Sequence, residues 1–386
     1  MSPRRTPTAA DKPGLMHPLM GARLGLLLRA LTTNGPIPPR HAPLIAAMAL
    51  SAVARLPFAT LERFITTRRI RRAPAMEPPV FIIGHWRSGT THVHNLLARS
   101  PGFGMISPLA TGIPGEILTL GSWLRPLLEK MLPEDRKVDH VAVNPDSPQP
   151  DEIPLANMQT LSVFHAMYFP RRFQEQIDRG VFLEGCDEGE IERWRTLMIA
   201  FLRKIAAQQG KPRLLIKNES YTARVALLRS IWPDAKFVHV HRNPYEVYVS
   251  TVNYYRRLLP TMALQPFDHV DIESFVLDAY PRVMKRCLAD TADLPAERFI
   301  EVGFKEVTSA PIDTLERIHN RLRLPGWVLA RGRTEEYLAS IRDYKRNEFT
   351  MAPGDIERVA SAWGEYAARW GYQAPAQAAA TGRRRP

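Results

Sequence analysis

Cysteine is nearly absent: Cys186 and Cys287 are the only two in 386 residues. Two such residues exclude a disulfide framework, and their separation excludes a zinc knuckle. A reducing, cytoplasmic setting is therefore expected. Long hydrophobic runs are missing as well. The longest, Leu44 to Ala54, lies between Pro43 and Arg55 and falls short of the ~20 residues a spanning helix needs. The N-terminal apolar stretches are broken by Arg23 and Arg29, and no clear small-residue cleavage site follows, so no secretory signal is expected. Acidic residues are outnumbered, 39 against 52 basic, for a net charge of +13. That surplus favours an anionic partner: nucleic acid, acidic lipid or a highly phosphorylated cofactor. HExxH and CxxC spacings do not occur and the histidines are scattered, so no metal is expected. The arginines cluster in one amphipathic segment and a tail without a recognised nucleic-acid module, which argues against nucleic acid.

What is present falls into four stretches. Residues 1–14 are polar and contain proline, and read as disordered. Residues 15–75 carry a helical pattern, with Leu19, Leu24, Leu27, Leu28 and Leu31 mostly three or four apart. A second helix is expected after Pro43, and a third, over 58–72, ends in Arg68, Arg69, Arg71 and Arg72. This region fits a helical subdomain packed on the main body, or a basic amphipathic segment on an anionic membrane at the inner face of the cell membrane. From 76 to 375 the pattern changes to short apolar strands alternating with helices. Strands are expected at 80–83, 213–218, 236–242 and 298–304. Helices are expected at 92–99, 153–169, 188–209, 221–231 and 244–258. The alternation predicts βαβ units and an α/β fold with a central parallel sheet flanked by helices. Residues 376–386 read as a disordered tail.

One loop carries the first chemical signal. In "PPVFIIGHWRSGTT" four apolar residues run into Gly84, and Gly84-x-x-x-x-Gly89 has the spacing of a phosphate-binding loop. Such a loop turns backbone N–H groups toward an anion at a helix N-terminus. Ser88, Thr90 and Thr91 add hydroxyls and Arg87 adds charge. Thr90 stands where nucleoside triphosphatases need lysine, and no strand ends in a metal-holding aspartate. A sulfuryl group bears one negative charge where a terminal phosphoryl bears about two, so its transfer needs less neutralisation and no metal. The loop suits a phosphosulfate.

A second anchor lies about 150 residues on. In "FVHVHRNPYEVYVSTVNYY", Arg242 ends a strand and Asn243-Pro244 starts a helix. Ser250 falls about two turns into that helix, so both residues can converge on one anion at the sheet's carboxyl edge. Taken together, "FIIGHWRSGTT" and "HVHRNPYEVYVS" resemble the two signature elements of the sulfotransferases that use 3′-phosphoadenosine-5′-phosphosulfate (PAPS). The loop in its "GHWRSGTTH" form, with the helical N-terminus, is similar to the bacterial branch, several members of which sulfate lipids or other hydrophobic alcohols.

The resemblance implies a P-loop-like three-layer fold over 76–375. It makes Arg87, Ser88, Gly89, Thr90 and Thr91 ligands of the 5′-phosphosulfate, and Arg242 and Ser250 ligands of the 3′-phosphate. It makes Lys217, at the end of "RLLIKN", the cation that stabilises the leaving group or the sulfuryl group. Transfer to an alcohol also needs a base. Cytosolic relatives place a histidine two residues after that lysine, but here Glu219 occupies the position. Glu152, in "SPQPDEIPLANM", is favoured because a proline-rich lead into Asp151-Glu152 resembles the acidic element of bacterial relatives. Glu219 is second and Glu116 third. His92 and His94 follow the loop directly. Tyr245, Tyr248, Tyr254 and Tyr255 are candidates for core or for an acceptor pocket. Lys345 and Arg346 are candidates to close over the cofactor.

The expected function is thus in-line transfer of a sulfuryl group from PAPS to a hydroxyl, with Glu152, Lys217 and Arg87 in catalysis. The acceptor expected is a lipid or other hydrophobic alcohol. The alternatives are a membrane-peripheral binding protein that keeps the fold without turnover, and a P-loop kinase lacking its lysine.

Overall fold

The computed structural model describes residues 17–131, 147–342 and 351–375. The segments read as disordered ends, and Lys345 and Arg346, lie outside the described residues.

Five parallel strands form the centre: β1 (Val80–Ile83), β2 (Phe103–Gly104), β3 (Arg213–Lys217), β4 (Lys236–His241) and β5 (Phe299–Gly303). Their order is β2-β3-β1-β4-β5. Phe81 pairs with Ile216 on one side and Phe237 on the other. Successive side chains alternate between faces. Phe81 and Ile83 enter a core with Trp194, Phe201 and Tyr221, while Val80 and Ile82 enter a second with Leu96, Val238 and Ile318. Both faces are covered, which is why these strands read as unbroken apolar runs. The result is the three-layer α/β fold that the alternation predicts. Because β3 and β4 flank β1, a loop leaving the end of β1 lies between the ends of both. That is the crevice where open parallel sheets bind ligands.

A third core lies beyond that edge. It joins helices Pro244–Met262, Ile272–Thr291 and Pro353–Arg369 to the N-terminal helices through Tyr168, Tyr255, Leu258, Trp363, Leu27 and Met48. The N-terminal helices Leu24–Thr33 and Ala42–Ala54 therefore share this core, while Leu56–Arg72 buries only Glu62. Two buried ion pairs clamp them. Arg55 pairs with Glu116 at 2.7 Å, and Glu62 with Lys204 at 3.1 Å. Glu62 also accepts from the N–H groups of Leu118 and Thr119 at 3.0 and 2.9 Å.

Some boundaries differ from expectation. The helix expected over 153–169 is two short helices, Glu152–Ala156 and Phe164–Tyr168. The Glu152 carboxylate accepts from the Ser162 hydroxyl at 2.6 Å and the Val163 N–H at 3.0 Å, which holds the chain in a corner between them. The helix expected from Tyr221 begins only at Val225, after a 3-10 turn over Glu219–Ala223 that Asn218 caps. Helix Pro244–Met262 runs past Pro260, further than expected.

Removing one partner of a buried ion pair leaves the other uncompensated. Glu62→Ala is expected to lower unfolding stability by about 3–5 kcal/mol, measured by urea denaturation. A loss under about 1 kcal/mol would mean that Glu62 does not clamp this helix.

Candidate functional site: the loop after β1

The loop departs from the most buried strand and must reverse into helix Thr90–Leu97 within six residues. It does so through positive φ at Gly84 (148°), Arg87 (68°) and Gly89 (101°). A Cβ on Gly84 would lie 2.4 Å from the Val240 carbonyl oxygen, and one on Gly89 2.1 Å from the Phe304 ring. Both glycines are therefore required by space as well as by conformation. The loop is pinned from outside. The Thr222 hydroxyl accepts from the Gly84 N–H at 2.8 Å and donates to the Gly84 carbonyl at 3.0 Å. Thr251 donates to the Trp86 carbonyl at 3.2 Å. His85 is buried, held near the Trp86 carbonyl at 3.0 Å, and its ring is pushed down to about 4 by burial, so it is neutral.

Lys217 arrives on one flank, from the end of β3. Its ammonium donates to Glu219 Oε1 at 2.7 Å and lies 3.5 Å from the Thr91 hydroxyl. Thr90 donates to the same Glu219 oxygen at 3.1 Å. Burial alone would raise the Glu219 carboxyl, but Lys217 and the hydrogen bonds outweigh it and hold the carboxyl below its usual range. His94 lies beneath. Burial first, then the Lys217 charge, push it down to about 3, which leaves Lys217 as the cation of this flank. His92 packs edge-on against Phe304.

Arg242 and Ser250 arrive on the other flank. Ser250 Oγ accepts from Arg87 Nε at 3.1 Å, and Arg242 Nη1 lies 3.5 Å from the Arg87 carbonyl oxygen. Arg242 is held over the Phe304 ring at 4.7 Å and by Glu246 at 2.6 Å. The Arg87 guanidinium lies 5.7 Å from the centre of the Tyr254 ring. Phe304, just past β5, thus supports both Gly89 and Arg242.

The candidate bases separate. Glu219 touches Lys217 directly. Glu152 is buried and reaches the same strand end through Asn218, whose amide donates to its Oε2 at 2.6 Å. Its other oxygen is taken by Ser162 and Val163. Glu116 is instead paired with Arg55 at the N-terminal helices. Asp151 accepts from Asn218 at 2.8 Å and from the Tyr221 hydroxyl. Of the tyrosines, Tyr245, Tyr248 and Tyr255 are buried in the third core.

This arrangement can hold an anion. Ser88 Oγ is buried without a hydrogen-bond partner, a cost that a ligand oxygen would relieve. The first-turn N–H groups of Thr90 and Thr91 precede the first helical bond, His92 N–H to Gly89 C=O. Positive charge stands on both flanks. These features fit a phosphosulfate group. Sequence reasoning missed Thr222, Asn218, Thr251 and Phe304. Of these, only Asn218 carries a signal, as a helix-capping residue type directly after Lys217.

The profile of the Sulfotransferase family matches residues 78–328. Omega-hydroxy-beta-dihydromenaquinone-9 sulfotransferase Stf3, from Mycobacterium bovis and from Mycobacterium tuberculosis, is 28% identical over 320 residues, 81% of this chain and 79% of Stf3. Among solved structures, sulfotransferase STF9 from Mycobacterium avium superposes with a TM-score of 0.65 at 18% identity, covering 90% of each chain. Sulfotransferase STF1 from Mycobacterium tuberculosis H37Rv gives 0.58 at 18% identity, covering 88% of this chain and 91% of its own. These two likenesses are of fold.

Burial pushes Asp151 up to about 7 against the hydrogen bond from Tyr221, with Glu152 adding to the rise and Asn218 opposing it. The native state then holds more protons than the unfolded chain between the ordinary 3.8 and about 7. Stability should fall as pH rises through that window and level off above it. In urea unfolding at a series of pH values, Asp151→Asn is expected to flatten this slope. An unchanged slope would show that Asp151 ionises normally.

Proposed function

We propose a specific reaction for this chain, which belongs to the sulfotransferase family: transfer of the sulfuryl group from PAPS to the hydroxyl of a lipid or other hydrophobic alcohol. One convergence carries the reading. Lys217 comes to Thr91 from 126 positions downstream, and Ser250 comes to Arg87 from 163 positions downstream. One short loop is thus met on both flanks by a cation or a hydroxyl.

Arg87, Ser88, Gly89, Thr90 and Thr91 would hold the 5′-phosphosulfate, and Arg242 and Ser250 the 3′-phosphate. PAPS, when bound, supplies an activated sulfuryl group on a phosphate leaving group. Lys217 places positive charge beside the loop, where charge grows on the leaving oxygen in an in-line displacement. Glu219 holds the Lys217 ammonium and the Thr90 hydroxyl with one oxygen, so it positions both. Glu152 takes the acceptor's proton at Oε2, whose protein partner is a neutral amide. Trp86, Ala156, Val163 and Tyr168 bury the adjoining apolar core, which excludes water and favours a hydrophobic acceptor. The relative named for an omega-hydroxy-dihydromenaquinone supports that acceptor class. The two cysteines are free, which suits a cytoplasmic setting.

Calorimetry with 3′-phosphoadenosine-5′-phosphate against ATP tests it. We expect the 3′-phosphate compound to bind better than ATP, and Arg242→Ala to weaken it by roughly ten- to a hundredfold. ATP preference, or no binding by folded protein, would contradict the proposal. ATP preference would favour a kinase despite Thr90.

A further inference from the structure

Helix Leu56–Arg72 is seventeen residues long and buries one side chain, Glu62. Helices on a protein body normally bury an apolar stripe. Here the large apolar side chains face the other way: Leu61 is 51% exposed and Phe64 73%. The preceding helix, Ala42–Ala54, buries Leu44, Met48 and Ala52 at steps of four, which leaves Leu50 (71% exposed) and Val53 on its outer side. Trp123, 83% exposed, lies one turn beyond the Leu118 and Thr119 amides that Glu62 grips. These five large apolar side chains are therefore about half exposed or more.

The charge beside them is of one sign. Residues 63–72 contain Arg63, Arg68, Arg69, Arg71 and Arg72 and no carboxylate, and all five arginines are exposed. On the helix, Leu61, Phe64, Arg68 and Arg71 follow at steps of three, four and three, forming one face turned away from Glu62. An apolar row continued by cations fits a surface that is apolar inside and anionic at its boundary. It does not fit a second copy of this chain, whose arginines would oppose these. Nor does it fit a spanning segment, since the helices bend by 45° at their junction and the first packs its other face into the protein core.

We infer that this face docks on an anionic lipid bilayer, laying Leu50, Val53, Leu61, Phe64 and Trp123 into the headgroup boundary with the arginines on lipid phosphates. The inference rests on the proposed reaction only for its purpose, as the place where a membrane-dissolved alcohol would be met. The surface itself stands on exposure and charge.

The test is co-sedimentation of the full chain with vesicles of phosphatidylglycerol and phosphatidylcholine, against phosphatidylcholine alone. Calorimetry with 3′-phosphoadenosine-5′-phosphate is run on each sample. Two variants, Leu61→Asp with Phe64→Asp, and Arg68, Arg69, Arg71 and Arg72 all changed to Gln, alter exposed positions only. Each is expected to lower partition onto the anionic vesicles by at least about tenfold, and added salt should weaken the wild type. Equal partition by wild type and variants would overturn the inference. So would a wild type that binds nucleotide but ignores vesicles. A dimer in sedimentation equilibrium that the Asp variant dissolves, without vesicle binding, would assign the face to a second copy. Vesicle binding lost in both variants, with no nucleotide bound by the wild type, would uphold this surface and sink the proposed reaction instead.

Discussion

Between a buried strand and a helix, Gly84, Arg87 and Gly89 all run with positive φ, and the site depends on the chain keeping that path. For Arg87 the left-handed conformation costs on the order of 1 kcal/mol, so neighbours must hold it. Thr222 and Thr251 fix the loop backbone at Gly84 and Trp86, and Ser250 engages the Arg87 side chain. Phe304 fills the space that a side chain at position 89 would need. Each of these residues comes from an element packed around the end of β1. The sheet order therefore determines the site: with β3 on one side and β4 on the other, Lys217 and Arg242 have to arrive on opposite flanks of one loop.

Electrostatics follow from that placement. The buried histidines nearest the loop, His85 and His94, are kept neutral by burial, so the positive charge near the loop belongs to Arg87, Lys217 and Arg242. Lys217 is restrained by Glu219 and Arg242 by Glu246. An anion entering the loop finds cations held in position, with little side-chain freedom left to lose. The absence of a lysine at Thr90 has a structural counterpart: the Thr90 hydroxyl turns to Glu219, and the lysine of the site comes from β3.

Much of this was legible in the sequence. Unbroken apolar runs located β1, β3 and β4 because both sheet faces are covered. The Gly84-to-Gly89 spacing marked the loop because only glycine fits there. Asn243-Pro244 marked the helix that carries Ser250. What was not legible depends on contacts between distant segments. Nothing local to Thr222 says that it pins Gly84, 138 positions away. Periodicity over 153–169 predicts one helix, but Glu152 turns inward to cap the corner at Ser162 and Val163, and the helix divides. The two-residue strand β2 is too short to leave a pattern. The bond from Lys217 to Glu219, which suits Glu219 to positioning rather than to proton abstraction, is visible only in three dimensions.

In the proposed reaction the two flanks of one loop hold and discharge a sulfuryl donor. The most direct test is a single turnover with PAPS carrying radiolabelled sulfur and a hydroxylated isoprenoid lipid presented in detergent. Label is expected in the lipid with wild-type protein. Lys217→Met is expected to transfer at least ~100-fold more slowly, with 3′-phosphoadenosine-5′-phosphate binding retained. A Lys217→Met variant that transfers at the wild-type rate would rule out this role for Lys217. A wild type that binds the nucleotide yet labels no hydroxyl acceptor would contradict the proposed reaction.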